Sequence, residues 1–283
     1  MKMLAVDTTA DIMAEGSKAF EEENDLEFAE ASITGNLKVL EGLLKSSPEN
    51  KTLLLLLSKS YGGYAFAFLE DHYEELKPKD LEKAEYYKKR AGNFYLRGKD
   101  FGMRLLTQKN SNFEEILSKD FQTFEKEVSS FGENAVEALF WGGYNWGNWV
   151  NMNLHSPEAI VVAPKVERMM ARVLELDEKY YYGGPHLFYG VYYGGRPPML
   201  GGDLKKSKEH FEKALKFTQR KFLMTQVLYA QYYAVQSQDQ VLFTKLLTEV
   251  LHAKDDILPE QNLITQLAKK KARRLLARRG DLF

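Results

Sequence analysis

Apolar residues recur at helical spacing along almost the whole chain, whereas apolar–polar alternation bounded by turn residues is nearly absent. A period near 3.6 buries one stripe of a helix and a period of 2 buries one face of a strand, so the pattern specifies an all-α fold. The clearest case follows Asp80, a helix N-cap: Leu81, Ala84, Tyr87, Ala91, Tyr95, Gly98 and Phe101 step by three or four. A second helix start is Ser156-Pro157, a cap followed by proline at the first helical position, and a third is Asp203. Further helices are expected near residues 2–15, 25–46, 51–74, 112–130, 133–153, 164–176, 185–194, 221–236, 239–252 and 259–279, with breaks at Ser47-Pro48, Gly183-Gly184-Pro185, Arg196-Pro197-Pro198 and Leu258-Pro259.

The turn signals separate helices of similar length without a change in composition, so residues 1–283 read as one domain. Hydrophobic residues make up 44% of the chain, enough to build a core without metals or disulfides. With no cysteine, thiolate catalysis and cysteine-ligated zinc are excluded. Acidic and basic residues balance to a net charge of −1, which offers no field to attract nucleic acid. Uninterrupted apolar runs such as Leu53–Leu57 fall far short of the roughly 20 residues of a membrane span, so no span is expected. The five histidines are scattered and form no His-x-x-x-His pair, which argues against a metal site. No phosphate-cradling loop, nucleophile elbow or zincin motif is present, so no catalytic residue and no cofactor are assigned. The seven basic residues between Lys269 and Arg279 read as cations favoured by the C-terminal dipole of the last helix.

Residues 186–217 combine a first helix bearing Gly190 and Tyr193 with a second in which Ser207, Phe211 and Ala214 are spaced four and three apart. That is the second-helix spacing of a tetratricopeptide repeat. Residues 139–176 and 222–251 give weaker copies, and a C-terminal helix follows at about 259–279. The expected architecture is a superhelical stack of antiparallel helical hairpins, degenerate tetratricopeptide-like repeats.

Three glycine–aromatic stretches stand out: Tyr61–Tyr64, Phe140–Trp149 and Tyr180–His186. One reading is that glycine lets helices approach while rings fill the space between them. The other is that glycine leaves a concavity lined by rings with polar tips, as a small-molecule cleft requires. On the second reading Trp141, Tyr144, Trp146, Tyr182, His186, Tyr189 and Tyr193 line a ligand site across adjacent hairpins. Arg196 stands at its mouth, suited to meet a carboxylate in bidentate fashion.

The run from Tyr180-Tyr-Tyr-Gly-Gly-Pro-His186 through Arg196-Pro-Pro-Met-Leu-Gly-Gly-Asp203 into Lys208–Leu215 closely resembles the T component of tripartite ATP-independent periplasmic (TRAP) transporters. So do Tyr229–Gln236, Tyr95–Gly102 and Phe140–Gly147, and the similarity extends over nearly the whole chain after about Leu26. The resemblance implies a non-enzymatic periplasmic protein, often a lipoprotein, that works beside the transporter's solute-binding protein, assembles as a homotrimer and carries a channel-like pocket in each subunit. It implies a hydrophobic or amphipathic small ligand for the aromatic cleft, and an upstream leader with a lipidated cysteine. The alternative is an interaction scaffold with a packed centre and no ligand.

Overall fold

The computed structural model describes residues 2–283, and among the described residues every regular element is helical. The chain divides into two compact units, Met1–Phe20 with Glu27–Asp177, and Glu21–Leu26 with Glu178–Phe283. The first contains α1 (Lys2–Gly16), α2 (Lys18–Glu21), α3 (Leu26–Ser46), α4 (Lys51–Tyr64), α5 (Glu70–Leu76), α6 (Leu81–Thr107), α7 (Phe113–Ile116), α8 (Phe121–Ser130), α9 (Val136–Met152) and α10 (Pro157–Leu176). The second contains α11 (Tyr180–Gly194), α12 (Leu204–Phe217), α13 (Met224–Tyr229), α14 (Gln240–His252), α15 (Asn262–Ala277) and α16 (Arg279–Leu282).

The caps read from the sequence form. The carboxylates of Asp80 and Asp203 accept the N–H groups of Lys83 and Lys206 at 3.1 Å each, and the Ser156 hydroxyl accepts that of Ala159 at 3.1 Å. Asn50, Asp120 and Asp239 cap α4, α8 and α14 in the same way. Asp120 is the reason that the helix expected over 112–130 is two, since its cap starts a new helix after the Ser118–Lys119 turn. The helix expected at 164–176 begins at Pro157 and runs through Pro164. The expected 221–236 helix starts at Met224 and widens into a π turn at Ala230–Ala234. Leu81, counted above with the apolar stripe of α6, is 64% exposed in the first turn after the cap, while Ala84, Ala91, Tyr95 and Gly98 are buried.

In the first unit α6 packs on α4 and α9, and α9 packs on α10. The segment from α4 through a π turn at Ala65–Leu69 to α5 is long and apolar enough to cross a membrane, which the sequence reading did not anticipate. It is mostly buried inside the unit, as a core helix would be. In the second unit α11 packs on α12, and α13 on α14 and α15. Two of the basic residues of α15 are not solvated: Lys269 and Lys271 are buried, and the Lys269 ammonium donates to the Ala253 carbonyl and the Asp255 carboxylate, both at 2.6 Å.

Candidate functional site

Three of the eight candidate residues, Trp141, Tyr144 and Trp146, lie on α9 in the first unit. Their helix crosses α4 and α6 at very short range. A Cβ on Gly102 would stand 2.7 Å from the Gly142 Cα, and one on either Gly62 or Gly98 would stand 2.4 Å from Asn145 Oδ1. Asn145 is fully buried; its Nδ2 donates to the carbonyls of Ser58 (3.0 Å) and Trp141 (2.8 Å), and the Ser58 hydroxyl donates to the Gly98 carbonyl at 2.7 Å. Trp141 and Trp146 are 4% and 7% exposed, with the ammonium groups of Lys59 and Lys99 each 5.6 Å from the respective ring centroid. Trp141 meets the rings of Phe140 and Tyr144 edge-on, and Tyr144 is half-buried.

The other five, Tyr182, His186, Tyr189, Tyr193 and Arg196, lie in the second unit. They begin at a left-handed turn: Tyr181, Tyr182 and Gly183 have φ of 44°, 58° and 75°, and the regular part of α11 follows from Gly184-Pro185. Two consecutive tyrosines in the left-handed region are costly, of order 1–3 kcal/mol each, so tertiary contacts must hold them. The Tyr182 ring stacks on Phe222 at 4.8 Å and 6°, and Tyr181 meets Phe222 edge-on. A Cβ on Gly183 would touch Ala214 and Phe217 of α12. The turn thereby aims His186 at α12, where its Nδ1 lies 2.7 Å from Nδ1 of His210 and its Nε2 lies 3.2 Å from the Glu178 carboxylate.

Burial holds His186 below its ordinary value against the pull of Glu178. Burial, with the positive charges of Lys213 and Lys206 and the neighbouring His186, pushes His210 down to about 4. Both rings are therefore neutral at pH 7. A neutral His186 that donates from Nε2 to Glu178 must accept at Nδ1, so His210 carries its proton on Nδ1 and has a lone pair on Nε2. One carboxylate sets both tautomers. Tyr189 stacks on His210 at 5.0 Å and on Tyr193 at 5.6 Å, and the Lys206 ammonium lies 5.2 Å from the Tyr193 centroid. The Arg196 guanidinium lies 3.7 Å from the centroid of Tyr192, which touches both Tyr189 and Tyr193.

Four of the five thus join one network through two residues the sequence reading passed over. His210 was set aside as one of five scattered histidines; its position three residues after Ser207 and one before Phe211 places it at the edge of the buried stripe of α12. Tyr192 is the neighbour of Tyr193 on α11. Tyr182 packs with Phe222, and its pKa is raised chiefly by burial. An open cleft of about 960 Å³ lies elsewhere in the first unit, lined by Lys109, Asn110, Glu127, Phe131 and Glu133 and by none of the eight.

Residues 22–283 match the TRAP transporter T-component family. The chain belongs to that family. An uncharacterised protein of Treponema pallidum (strain Nichols) is 26% identical to it over 274 residues, 95% of this chain and 84% of the relative. The T-component family places the chain among the accessory components of a TRAP transporter, with the membrane or periplasmic setting that such a transporter implies.

Proposed function

We propose that the protein is a non-enzymatic periplasmic accessory component that binds the solute-binding protein of its transporter and holds a hydrophobic or amphipathic small molecule against its aromatic side chains. The observation that carries the first half of this reading is the family match over residues 22–283. The second half is supported by the Tyr189–Tyr193–His210–His186 network, which presents flat apolar faces beside a histidine nitrogen with a lone pair and the cations of Lys206 and Arg196. Apolar walls with a few placed polar groups are what a small-molecule site is made of. The candidate lining is Tyr182, His186, Tyr189, Tyr193 and Arg196 in the second unit and Trp141, Tyr144 and Trp146 in the first, each set tested by its own variants. The assembly is a homotrimer, and anchoring is through a lipidated leader.

Native mass spectrometry of the protein purified from its own cells tests the whole reading at once, by subunit number, bound mass and co-purified partner. A ligand-free species whose Tyr189→Ala and Trp146→Ala variants keep full partner binding would leave the second reading, a scaffold without ligand. The glycine-tight crossing around Asn145 favours that second reading for the first unit, because it leaves little room between α4, α6 and α9.

A further inference from the structure

The loop from Arg196 to Leu204 combines two properties that seldom go together, a closely hydrogen-bonded backbone and exposed apolar side chains. The N–H groups of Leu200 and Gly202 both donate to the Pro197 carbonyl, at 2.9 and 3.1 Å. The N–H of Gly201 donates to Pro198 at 3.1 Å, and that of Asp203 reaches back to the Tyr193 carbonyl at 3.0 Å. Gly201 has φ of 89°, and a Cβ on Gly202 would overlap the Arg196 carbonyl oxygen at 1.8 Å. Two prolines stiffen the entry and the Arg196 guanidinium lies on the Tyr192 ring. Yet Met199 at its tip is 89% exposed, the most exposed of the large apolar side chains among the described residues, and Leu200 and Leu204 beside it are exposed as well. A solvated connection has no use for such rigidity. A binding loop does, because ordering it beforehand removes the entropic cost from the moment of association.

The charge around the tip gives the partner its sign. Lys205, Lys206 and Lys208 follow at once on α12 and are all exposed. The buried residues of α12, Ser207, Phe211, Ala214 and Leu215, already pack inside the unit, so the helix has no free apolar face to lay into a lipid surface and only the short tip projects. We propose that this loop is a preformed docking finger whose Met199 enters an apolar pocket rimmed by carboxylates on the transporter's solute-binding protein. The unbranched, polarisable side chain of methionine is suited to filling such a pocket, while the lysines steer the approach. This inference rests on the reading of the protein as a transporter accessory component.

The experiment is titration calorimetry of the full chain against the purified solute-binding protein, at low and high salt, with Met199→Glu and with Lys205→Glu/Lys206→Glu/Lys208→Glu. Both variants change exposed side chains, and unchanged melting curves confirm that they fold. The expected result is wild-type binding weakened by added salt, at least tenfold weaker binding for Met199→Glu and a loss of the salt dependence for the triple variant. Wild-type binding that both variants retain overturns the finger and leaves the accessory reading intact. No binding by the wild type overturns both. Sedimentation with vesicles of three parts phosphatidylcholine to one part phosphatidylglycerol is the second arm: wild-type binding there that Met199→Glu abolishes, with the protein complex unaffected, would assign the loop to lipid and overturn the proposal.

Discussion

The two units solve one packing problem with the same device and then surround it differently. In the first, the Ser58 hydroxyl of α4 donates to the Gly98 carbonyl of α6; in the second, the Ser207 hydroxyl of α12 donates to the Gly190 carbonyl of α11, both at 2.7 Å. In each, glycine brings the helices close enough for a serine to bridge them. A Cβ on Gly98 would strike Asn145, and one on Gly190 would strike the Phe211 ring at 2.8 Å. The first crossing then meets the buried amide of Asn145, a group that does not titrate, on a helix whose indoles lie under the ammonium groups of Lys59 and Lys99. The second is flanked by two histidines, a carboxylate, lysines and tyrosines within reach of one another. Close helix packing thus recurs in both units, and the groups placed beside it differ.

The comparison makes its strongest demand at Trp141. If the first unit is packed interior, Trp141→Ala costs about 3–5 kcal/mol in urea unfolding, whereas a ring lining a cleft costs less and loses ligand instead. Trp146→Ala is judged by the same two readouts. The glycines come next. Gly102→Ala faces backbone at 2.7 Å and Gly190→Ala faces a ring, so costs of about 1–3 kcal/mol are expected, the larger at Gly102, where the neighbour cannot rotate away. Equal costs would mean that α9 yields as easily as a side chain. Ser58→Ala and Ser207→Ala each remove a buried hydrogen bond between two helices and should each lose about 1 kcal/mol, the test that the device is the same.

The smallest effect separates the units by pH. A histidine whose pKa is depressed by folding binds its proton more readily when unfolded, so its contribution is complete above 6.5 and is lost as pH falls toward the folded value. Thermal stability should therefore decline below pH 6.5 through both groups, through His210 down to about 4, and His210→Gln should flatten that slope and leave only the part due to His186. All three tryptophans lie in the first unit, so their fluorescence reports its unfolding, while the resonances of His186 and His210 report the second. The reading of residues 1–283 as one domain expects the two signals to change together.

Most of the fold was legible because its signals are local. Asp80, Ser156-Pro157 and Asp203 act within a single turn of chain, and a cap needs no tertiary information. The left-handed turn at Tyr181–Gly183 was legible only as a break at Gly183-Gly184-Pro185, because tyrosine has no preference for positive φ and is held there by Phe222, forty residues on. The site was half legible for the same reason. Tyr189 and Tyr193 announce themselves as an aromatic run at a spacing of four. His210 becomes their partner only when α12 folds against α11, a pairing that no local pattern encodes.

Asn145 carries a last consequence, for how this sequence can drift. Its Oδ1 accepts no hydrogen bond among the described residues and fills the space that a Cβ on Gly62 or Gly98 would take. A methyl group at either glycine meets that oxygen, and shortening Asn145 empties the space that both glycines keep open. Positions 62, 98 and 145 therefore form one unit of inheritance. Alanine at 98 is expected to be harmful in this background and tolerated once 145 is small, so the order in which a lineage could change them is set by one buried amide.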